Sequence, residues 1–461
     1  MQRRPRHAAL LLAALAALAG AAATAQRPLF VNNKLRGGAK RGACTQLPTR
    51  DLSKATGPQT YLYVFAGPDR PSPENPDFLV TIDATGPIGS EEFGAILATT
   101  DIPSPLFGAE PHHVGVSGDV LAAGGLFAYR PGDTWPGQGK AAATPDAYFF
   151  NISKATAASP ESGAAPGKLA EIAWVDGDRK WEVVAEHDGG VGGGKDATFT
   201  PHGFDRNGAN GGVIVTADYV RADSTWRPSE AFKWSTTVRV WDLESRKVVA
   251  KWDLASLPSI RAPPQGLMSV RWTGSDQLFW FSAGTGSLYL VNASKCAADG
   301  IAAAVKEVYT LEPTPVYGSC VFSGRFANNT RLLLTSLALN EVRLLDTTDP
   351  FKLNTIQASG TYTLPESKFG TPQPHVVVTD ASASIAAVTT YYVEQDPKNG
   401  LWTEKASKQL DLFSIAADKD SFAHIKTVDF NTAFEKPICG GVSPARGKSA
   451  RPHGAVFVTR A

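Results

Sequence analysis

The sequence predicts an all-β protein that folds as a single β-propeller, a ring of four-stranded sheets called blades. Three observations favour this fold. A hairpin of two β-rich runs joined by a polar turn recurs beyond residue 60 at intervals of roughly 50 to 90 residues, a spacing typical of propeller blades. The 43 glycines and 32 prolines supply frequent turns. No heptad pattern or long amphipathic helix interrupts the series.

The clearest hairpin covers residues 238–254, where the polar turn LESRK separates the β-rich runs VRVWD and VVAKWDL. Further copies have their first run ending near Asp83, Asn151, Asn292, Asp346 and Ser414. Between hairpins, two more β-rich runs, such as residues 268–272 and 277–281, supply the inner strands of each blade. Six blades are explicit, and the long interval around residues 181–185 has room for part of another. We therefore expect six to seven blades, with seven favoured.

The two ends of the repeat series complement each other. The last β-rich run, residues 455–458, has no partner after it, and the first, residues 61–64, has none before it. We predict that the C-terminal strand joins the N-terminal blade and closes the ring, because closure removes an exposed sheet edge. The predicted domains are a signal peptide (1–25), an N-terminal arm (26–60) and the propeller (61–461). A pair of β-sandwiches or a solenoid is the alternative.

The first 25 residues have the features of a secretory signal peptide. Arg3, Arg4 and Arg6 precede the apolar run 8–23, and the small residues Ala23-Thr24-Ala25 place the cleavage site near Ala25. The run is shorter than the roughly 20 residues that span a bilayer, and no later segment of that length lacks charges. The sequence therefore predicts a secreted or periplasmic protein without a membrane segment after cleavage.

The charge and the cysteines agree with an exported protein. The formal net charge is +1, and removing residues 1–25 takes away three arginines and no acid, which changes it to −2. A near-balanced charge argues against nucleic acid or an anionic membrane as a partner. Four cysteines permit two disulfides in three connectivities, of which we favour Cys44–Cys439 with Cys296–Cys320. Glycosylation sequons begin at Asn151, Asn292 and Asn328.

Five of the eight histidines stand in or directly after a Pro-His step. The steps are Pro111-His112-His113, Pro201-His202, Pro374-His375 and Pro452-His453. Each step opens a run at the start of a predicted blade, and equivalent starts of inner strands converge on a propeller axis. Proline restricts the backbone on both sides of its own position and stiffens the approach of each histidine. We predict that these histidines hold one metal ion, because neutral imidazole binds copper, iron, zinc and nickel.

Only one histidine of the adjacent pair can point towards the axis, because side chains alternate along an extended strand. The match of His113-Val-Gly-Val to His375-Val-Val-Val favours His113 over His112. The four ligand-bearing blades are neighbours once the ring closes, so the opposite wall, with Gln265 in the equivalent place, stays open for a substrate. We read His187 and His424 as surface residues.

The carboxylates near the Pro-His steps are candidates to orient the imidazoles. They are Glu110, Asp205 and Asp380. No other catalytic residue is predicted, since the sequence contains no G-x-S-x-G, H-E-x-x-H or phosphate-loop motif.

The order of several segments resembles the selenium-binding protein family, which includes the methanethiol oxidases. The segments are 61–64, 76–83, 110–113, 238–242, 266–272, 332–350, 370–373 and 451–453. The resemblance implies a propeller with a histidine-bound copper ion that converts methanethiol, O2 and water into formaldehyde, hydrogen sulfide and hydrogen peroxide. The resemblance also implies that the protein binds a small thiol and O2 as its partners. The copper ligands that it carries over are His112 or His113, His202, His375 and His453.

One departure from that family bears on the chemistry. The family usually has a cysteine pair shortly after the His-His step, and residues 114–119 here contain no cysteine. This stretch therefore contains no thiol that could bind selenium, and thiol oxidation would depend on the metal alone. Two other functions are compatible with the histidines: a carotenoid-cleaving dioxygenase with four histidines on Fe(II), and a non-enzymatic metal-binding or scaffold propeller.

Overall fold

The computed structural model describes most of residues 57–460. The undescribed residues are 1–56, 69–76, 102–110, 118–119, 126–146, 152–155, 159–167, 176–179, 197, 200, 208–211, 220–234, 257–265, 276, 295–303, 312–319, 324–325, 338, 357–359, 391–393, 396–401, 404–406, 435–448 and 461. Between residues 111 and 186 the description covers the backbone only. The predicted signal peptide, three of the four cysteines and Glu110 lie outside the described residues.

The described chain is built of β-strands, which confirms the predicted all-β class. The first half contains β1 (Gln59–Pro68), β2 (Phe78–Asp83), β3 (Ile96–Asp101), β4 (Pro111–Ser117), β5 (Val120–Gly125), β6 (Ala147–Asn151), β7 (Thr156–Ala158), β8 (Lys168–Val175), β9 (Lys180–Asp188), β10 (Pro201–Arg206), β11 (Val213–Asp218), β12 (Thr237–Asp242) and β13 (Lys247–Asp253). The second half contains β14 (Leu267–Trp272), β15 (Leu278–Ala283), β16 (Ser287–Asn292), β17 (Val305–Thr310), β18 (Cys320–Phe322), β19 (Arg331–Ser336), β20 (Glu341–Asp346), β21 (Asn354–Thr355), β22 (Thr361–Thr363), β23 (Pro374–Thr379), β24 (Ile385–Thr390), β25 (Glu394–Gln395), β26 (Trp402–Thr403), β27 (Gln409–Ile415), β28 (Phe422–Asp429) and β29 (Ala450–Arg460). A single 3-10 turn is described at Leu254–Ser256, and no described helix has the length and apolar character needed to cross a membrane.

The strands form antiparallel sheets of the β-propeller type. Among the described strands, six sheets have four or more strands, in the orders β29-β1-β2-β3, β4 to β7, β10 to β13, β14 to β17, β18 to β21 with β22 also pairing β20, and β23-β24-β27-β28. The hairpins β8-β9 and β25-β26 form two-stranded sheets. The predicted hairpin at residues 238–254 is the β12-β13 pair.

Hydrophobic layers lie between consecutive sheets. One layer joins Val215 and Val240 to Phe279 and Phe281, so it fills the space between the β10–β13 and β14–β17 sheets. Every residue of β15 is buried, because its sheet is covered on both faces. One edge strand of each larger sheet contacts the edge strand of the next sheet, in the order β4, β29, β23, β18, β14 and β10, and these six are called the innermost strands below.

The C-terminal strand pairs with the N-terminal strand, as the sequence predicts. Leu62 in β1 lies opposite Phe457 in β29, and the antiparallel register continues to Gln59 and Arg460. The strand β29 thereby becomes the innermost strand of the first sheet.

Candidate metal centre

Each Pro-His step lies at a register shift, as in a β-bulge, at the start of an innermost strand. In β10, Pro201 pairs with Asp218 and Gly203 with Ala217, which leaves His202 as the extra residue. The corresponding shifts lie between Pro111 and His113 in β4, between Pro374 and Val377 in β23, and opposite Val64 and Ala66 in β29. A bulge redirects a side chain out of the regular alternation of a strand. The four steps therefore occupy structurally equivalent positions.

The register also distinguishes the two adjacent histidines. In β4 the extra residue is His112, which directly follows the proline just as His202 does in β10. His113 pairs with Gly124 in the regular ladder. The strand β14, which lacks a Pro-His step, has its shift between Leu267 and Val270, whereas Gln265 lies outside the described residues.

Three of the predicted ligands are described with their side chains, and all three are buried. His202, His375 and His453 are 6%, 1% and 2% exposed. The rings of His375 and His453 lie against each other, with centroids 5.3 Å apart and planes inclined by 39°. The structure therefore brings together histidines from β23 and β29.

Burial keeps two of these imidazoles neutral. It lowers the pKa of His202 to about 4, although a hydrogen bond to the Met268 carbonyl opposes the shift. Burial, and after it the positive charge that His202 carries when protonated, lowers the pKa of His375 to about 3. His202 is thus close enough to His375 for their charges to interact. A neutral imidazole keeps the lone pair that a metal ion requires.

The tautomer of His202 follows from its hydrogen bond. Its Nδ1 lies 2.7 Å from the carbonyl oxygen of Met268 on β14. Since a carbonyl oxygen only accepts, Nδ1 carries the proton and Nε2 carries the lone pair. Metal-binding histidines commonly donate their other N–H to a backbone carbonyl in this way. The ring of Tyr219 packs on His202 with centroids 4.9 Å apart and fixes its plane further.

Gly203 lets β10 approach β14 closely enough for this hydrogen bond. A Cβ atom at residue 203 would lie 2.5 Å from the Met268 carbonyl oxygen and 2.9 Å from the Cα of Ser269. Both contacts are with backbone, so a larger residue would push the two strands apart. Sequence reasoning missed this role, although Pro-His-Gly at 201–203 and again at 452–454 is a visible signal.

We predict that Gly203→Ala destabilises the protein by about 1–3 kcal/mol, because the added methyl group overpacks a backbone contact. Urea unfolding followed by tryptophan fluorescence measures the change. Gly194→Ala is the matched control, since its Cβ would meet only the Val191 carbonyl oxygen at an ordinary 3.8 Å. Equal stabilities of the two variants would contradict the close approach.

Threonines from neighbouring sheets brace the backbone at two of the histidines. The Thr389 hydroxyl on β24 donates to the His453 carbonyl at 2.7 Å, and the Thr335 hydroxyl on β19 donates to the His375 carbonyl. Both threonines are fully buried. These hydrogen bonds tie the histidine-bearing strands to the adjacent sheets.

The carboxylates proposed to orient the imidazoles have other partners. Asp205 accepts a hydrogen bond from the Trp272 N–H at 2.8 Å and so ties β10 to β14. Asp380 accepts from the Ser384 and Ile385 N–H groups, each at 2.7 Å, and closes the β23-β24 turn. The prediction for these two residues is wrong, because turn and strand backbone donors occupy their oxygens.

His424 is also not the simple surface residue that the sequence suggests. Its Nε2 lies 3.0 Å from a carboxylate oxygen of the buried Asp411, and its ring stacks on Tyr362 at 5.5 Å with planes inclined by 11°. Its side chain is 22% exposed. His424 therefore joins β28 to the sheet that contains β22, away from the Pro-His steps.

All three described imidazoles are buried, and those of His202 and His375 are held neutral, so each of these two keeps a lone pair that a metal ion such as copper or iron could bind. Within that part, no three His, Cys, Asp or Glu side chains lie close enough to form a complete metal site. The remaining predicted position belongs to β4, for which only the backbone is described.

No protein-family model and no curated protein sequence matches this chain. Several solved structures match it. A hypothetical selenium-binding protein from Sulfolobus tokodaii has a TM-score of 0.57 and 14% identity over 87% of this chain and 94% of its own. A protein from Lactobacillus plantarum has a TM-score of 0.47 and 9% identity over 87% and 99%. The periplasmic gluconolactonase of Pseudomonas aeruginosa has a TM-score of 0.41 and 12% identity over 87% and 99%. The first likeness shows that the chain shares the fold of that selenium-binding protein.

Proposed function

We propose that this protein is an exported, metal-dependent oxidoreductase with a histidine-bound copper ion at the centre of a closed, seven-bladed β-propeller. The observation that carries the proposal is the set of Pro-His steps at equivalent register shifts, of which the three described imidazoles are buried and two are held neutral. Four histidines at one repeat position match the ligand number of a metal site.

The ring is proposed from strand contacts. The inner strands contact one another from β4 through β29 and β23 to β10, and β29 joins β1 in one sheet. The hairpin β8-β9 follows β7 along the chain and precedes β10, so it supplies the partial blade between the β4–β7 and β10–β13 sheets. In this arrangement the four histidine-bearing blades are not all neighbours, contrary to the expectation from the sequence. Six complete sheets and this hairpin make seven blades.

The proposed ligands are His112, His202, His375 and His453. We choose His112 rather than His113 because His112 holds the register position of His202. Copper is preferred to iron because the sequence order resembles the methanethiol oxidases and the fold is that of a selenium-binding protein. Iron in a carotenoid-cleaving dioxygenase remains the alternative.

The residues of this chain have defined tasks in such a site. Bound copper would supply the electron transfer between a small thiol and O2. His202 offers Nε2 because the Met268 carbonyl holds the proton on Nδ1, and burial keeps the imidazoles of His202 and His375 neutral at pH 7. Thr335 and Thr389 limit movement of the strands that carry His375 and His453. The reaction implied is methanethiol, O2 and water to formaldehyde, hydrogen sulfide and hydrogen peroxide.

Elemental analysis and oxygen uptake test the proposal. We expect about one copper ion per chain in protein recovered after export, and oxygen uptake that requires methanethiol and yields hydrogen peroxide and hydrogen sulfide in equal amounts. Protein stripped of metal by a chelator is the control and should regain uptake with added copper. Iron together with apocarotenoid cleavage would support the alternative. Absence of any stoichiometric metal would overturn both.

A further inference from the structure

The glycine-rich segment between β9 and β10 leads directly into His202. It contains five glycines between residues 189 and 194, and glycine loses more conformational freedom on ordering than any other residue. The segment ends with Asp196 and Phe199, shortly before the Pro201-His202 step. Such a segment needs strong attachments if the start of β10 is to be held in one place.

One side chain, Arg239 on β12, supplies several of these attachments. Its Nε donates to the Gly189 carbonyl at 2.7 Å, and its Nη2 donates to Asp196 at 2.7 Å. Its guanidinium carbon lies 4.5 Å from the ring centre of Phe199, within cation–π range. A single planar group therefore holds the beginning and the end of the segment.

The remaining contact of Arg239 reaches the strand opposite His202. Its Nη1 forms an ion pair with Asp218, and both side chains are fully buried. Asp218 is the β11 residue that pairs with Pro201 across the register shift. Arg239 is thus bonded to the segment that precedes the Pro201-His202 step and to the strand that pairs with Pro201, without a described contact to His202 itself.

The charges in this cluster are compensated. Although burial opposes it, hydrogen bonds from Lys251 and Arg239 hold the pKa of Asp196 well below its usual value. Asp196 is therefore ionised at neutral pH and forms an ion pair with the Arg239 guanidinium. An arginine is needed because a lysine ammonium cannot reach three acceptors in one plane.

We infer that Arg239 is a positioning residue for His202: it fastens residues 189–199 to β11 and β12 and so sets where β10 begins. The inference rests on the proposed metal site for its functional meaning, but the positioning itself is a property of the chain. The alternative role is general stabilisation of the sheet, which any buried ion-pair cluster provides.

The test compares Arg239→Lys with Arg331→Lys. Arg331 on β19 also joins two carboxylates, those of Asp346 and Asp420, but it lies in a sheet without a Pro-His step. Asp196→Asn is the second variant, because it releases the segment while it leaves the buried Arg239–Asp218 pair intact. It keeps the test usable if Arg239→Lys does not fold.

Two readouts are expected to separate positioning from stability. Trypsin should cleave native Arg239→Lys and Asp196→Asn after the exposed Lys195, and it should spare the wild type and Arg331→Lys at this site. Cu(II) binding to the metal-free protein should weaken by about 10- to 100-fold in the first two variants only, as for loss of a group that supports a ligand. In a His202→Ala background, Arg239→Lys should cause no further loss of Cu(II) affinity.

The outcomes distinguish the inference from the proposed function. If Arg239→Lys and Arg331→Lys alter Cu(II) affinity equally, or if the loss adds fully to that of His202→Ala, Arg239 does not act through His202. If the wild type binds no Cu(II), the proposed function fails. The inference is then decided by the nuclear magnetic resonance signal of the His202 Nδ1–H, which should shift in Arg239→Lys and stay unchanged in Arg331→Lys. An unchanged signal in both would overturn it.

Discussion

Replacing His375 by alanine is expected to lower copper affinity by more than the roughly 10- to 100-fold that loss of a supporting hydrogen bond costs. His375 is the most deeply buried of the three described imidazoles, its ring packs on His453, and its pKa responds to His202. Its removal therefore takes away a proposed donor that lies against His453 and close enough to His202 to interact with its charge. Titration of the metal-free protein with Cu(II), with electron paramagnetic resonance counting the bound nitrogens, measures the loss.

His424→Ala is the matched control for this substitution. It also removes a histidine with ring contacts and a hydrogen bond, but those partners are Asp411 and Tyr362 in the outer strands. It should lower the melting temperature and leave the Cu(II) spectrum unchanged. Full copper binding by His375→Ala would remove this residue from the ligand set.

The second large effect is expected at the junction of the chain's two terminal strands. Ala455→Asp places a carboxylate where β29 faces β1, beside Leu62 and Phe457 in a continuous hydrophobic cluster. Burying an unpaired charge there should cost about 3 kcal/mol or more, because no described donor in the cluster can compensate it. Urea unfolding gives the free energy, and the first sheet should lose its protection in hydrogen exchange.

Thr459→Asp adds the same charge to an exposed position of the same strand. The Thr459 hydroxyl shares an exposed hydrogen bond with Thr60. Loss of this hydrogen bond should lower the free energy of unfolding by at most about 1 kcal/mol. If Ala455→Asp unfolds at the same urea concentration as Thr459→Asp, the β1-β29 pairing does not hold the fold together.

The fold was largely predictable because each repeat has a recognisable local sequence pattern. Alternating β-rich runs and polar turns, such as residues 238–254, are visible without any knowledge of contacts. The pairing of the first and last runs could be inferred because each lacked a sequence neighbour. The sheet of β18 to β22 was less predictable, since both β21 and β22 pair with β20 and no local signal shows it.

The candidate site was predictable only in part. Repetition of the Pro-His step drew attention to the candidate histidines. The preference for His113 rested on a match between two short sequence segments, whereas the strand register favours His112. Asp205 and Asp380 were chosen by sequence proximity, and their carboxylates instead bind backbone N–H groups. The group that orients His202 is a backbone carbonyl from another sheet, and a carbonyl has no signature in a sequence.

The pairing of β1 with β29 has a consequence for the order of events during folding. It joins Gln59 to Arg460, residues separated by almost the whole described chain, and contacts of such long sequence separation form slowly because a large loop must close first. His453, whose ring lies against that of His375, is carried by the same strand β29. The contact between these two histidines therefore belongs to the part of the fold that we expect to form late.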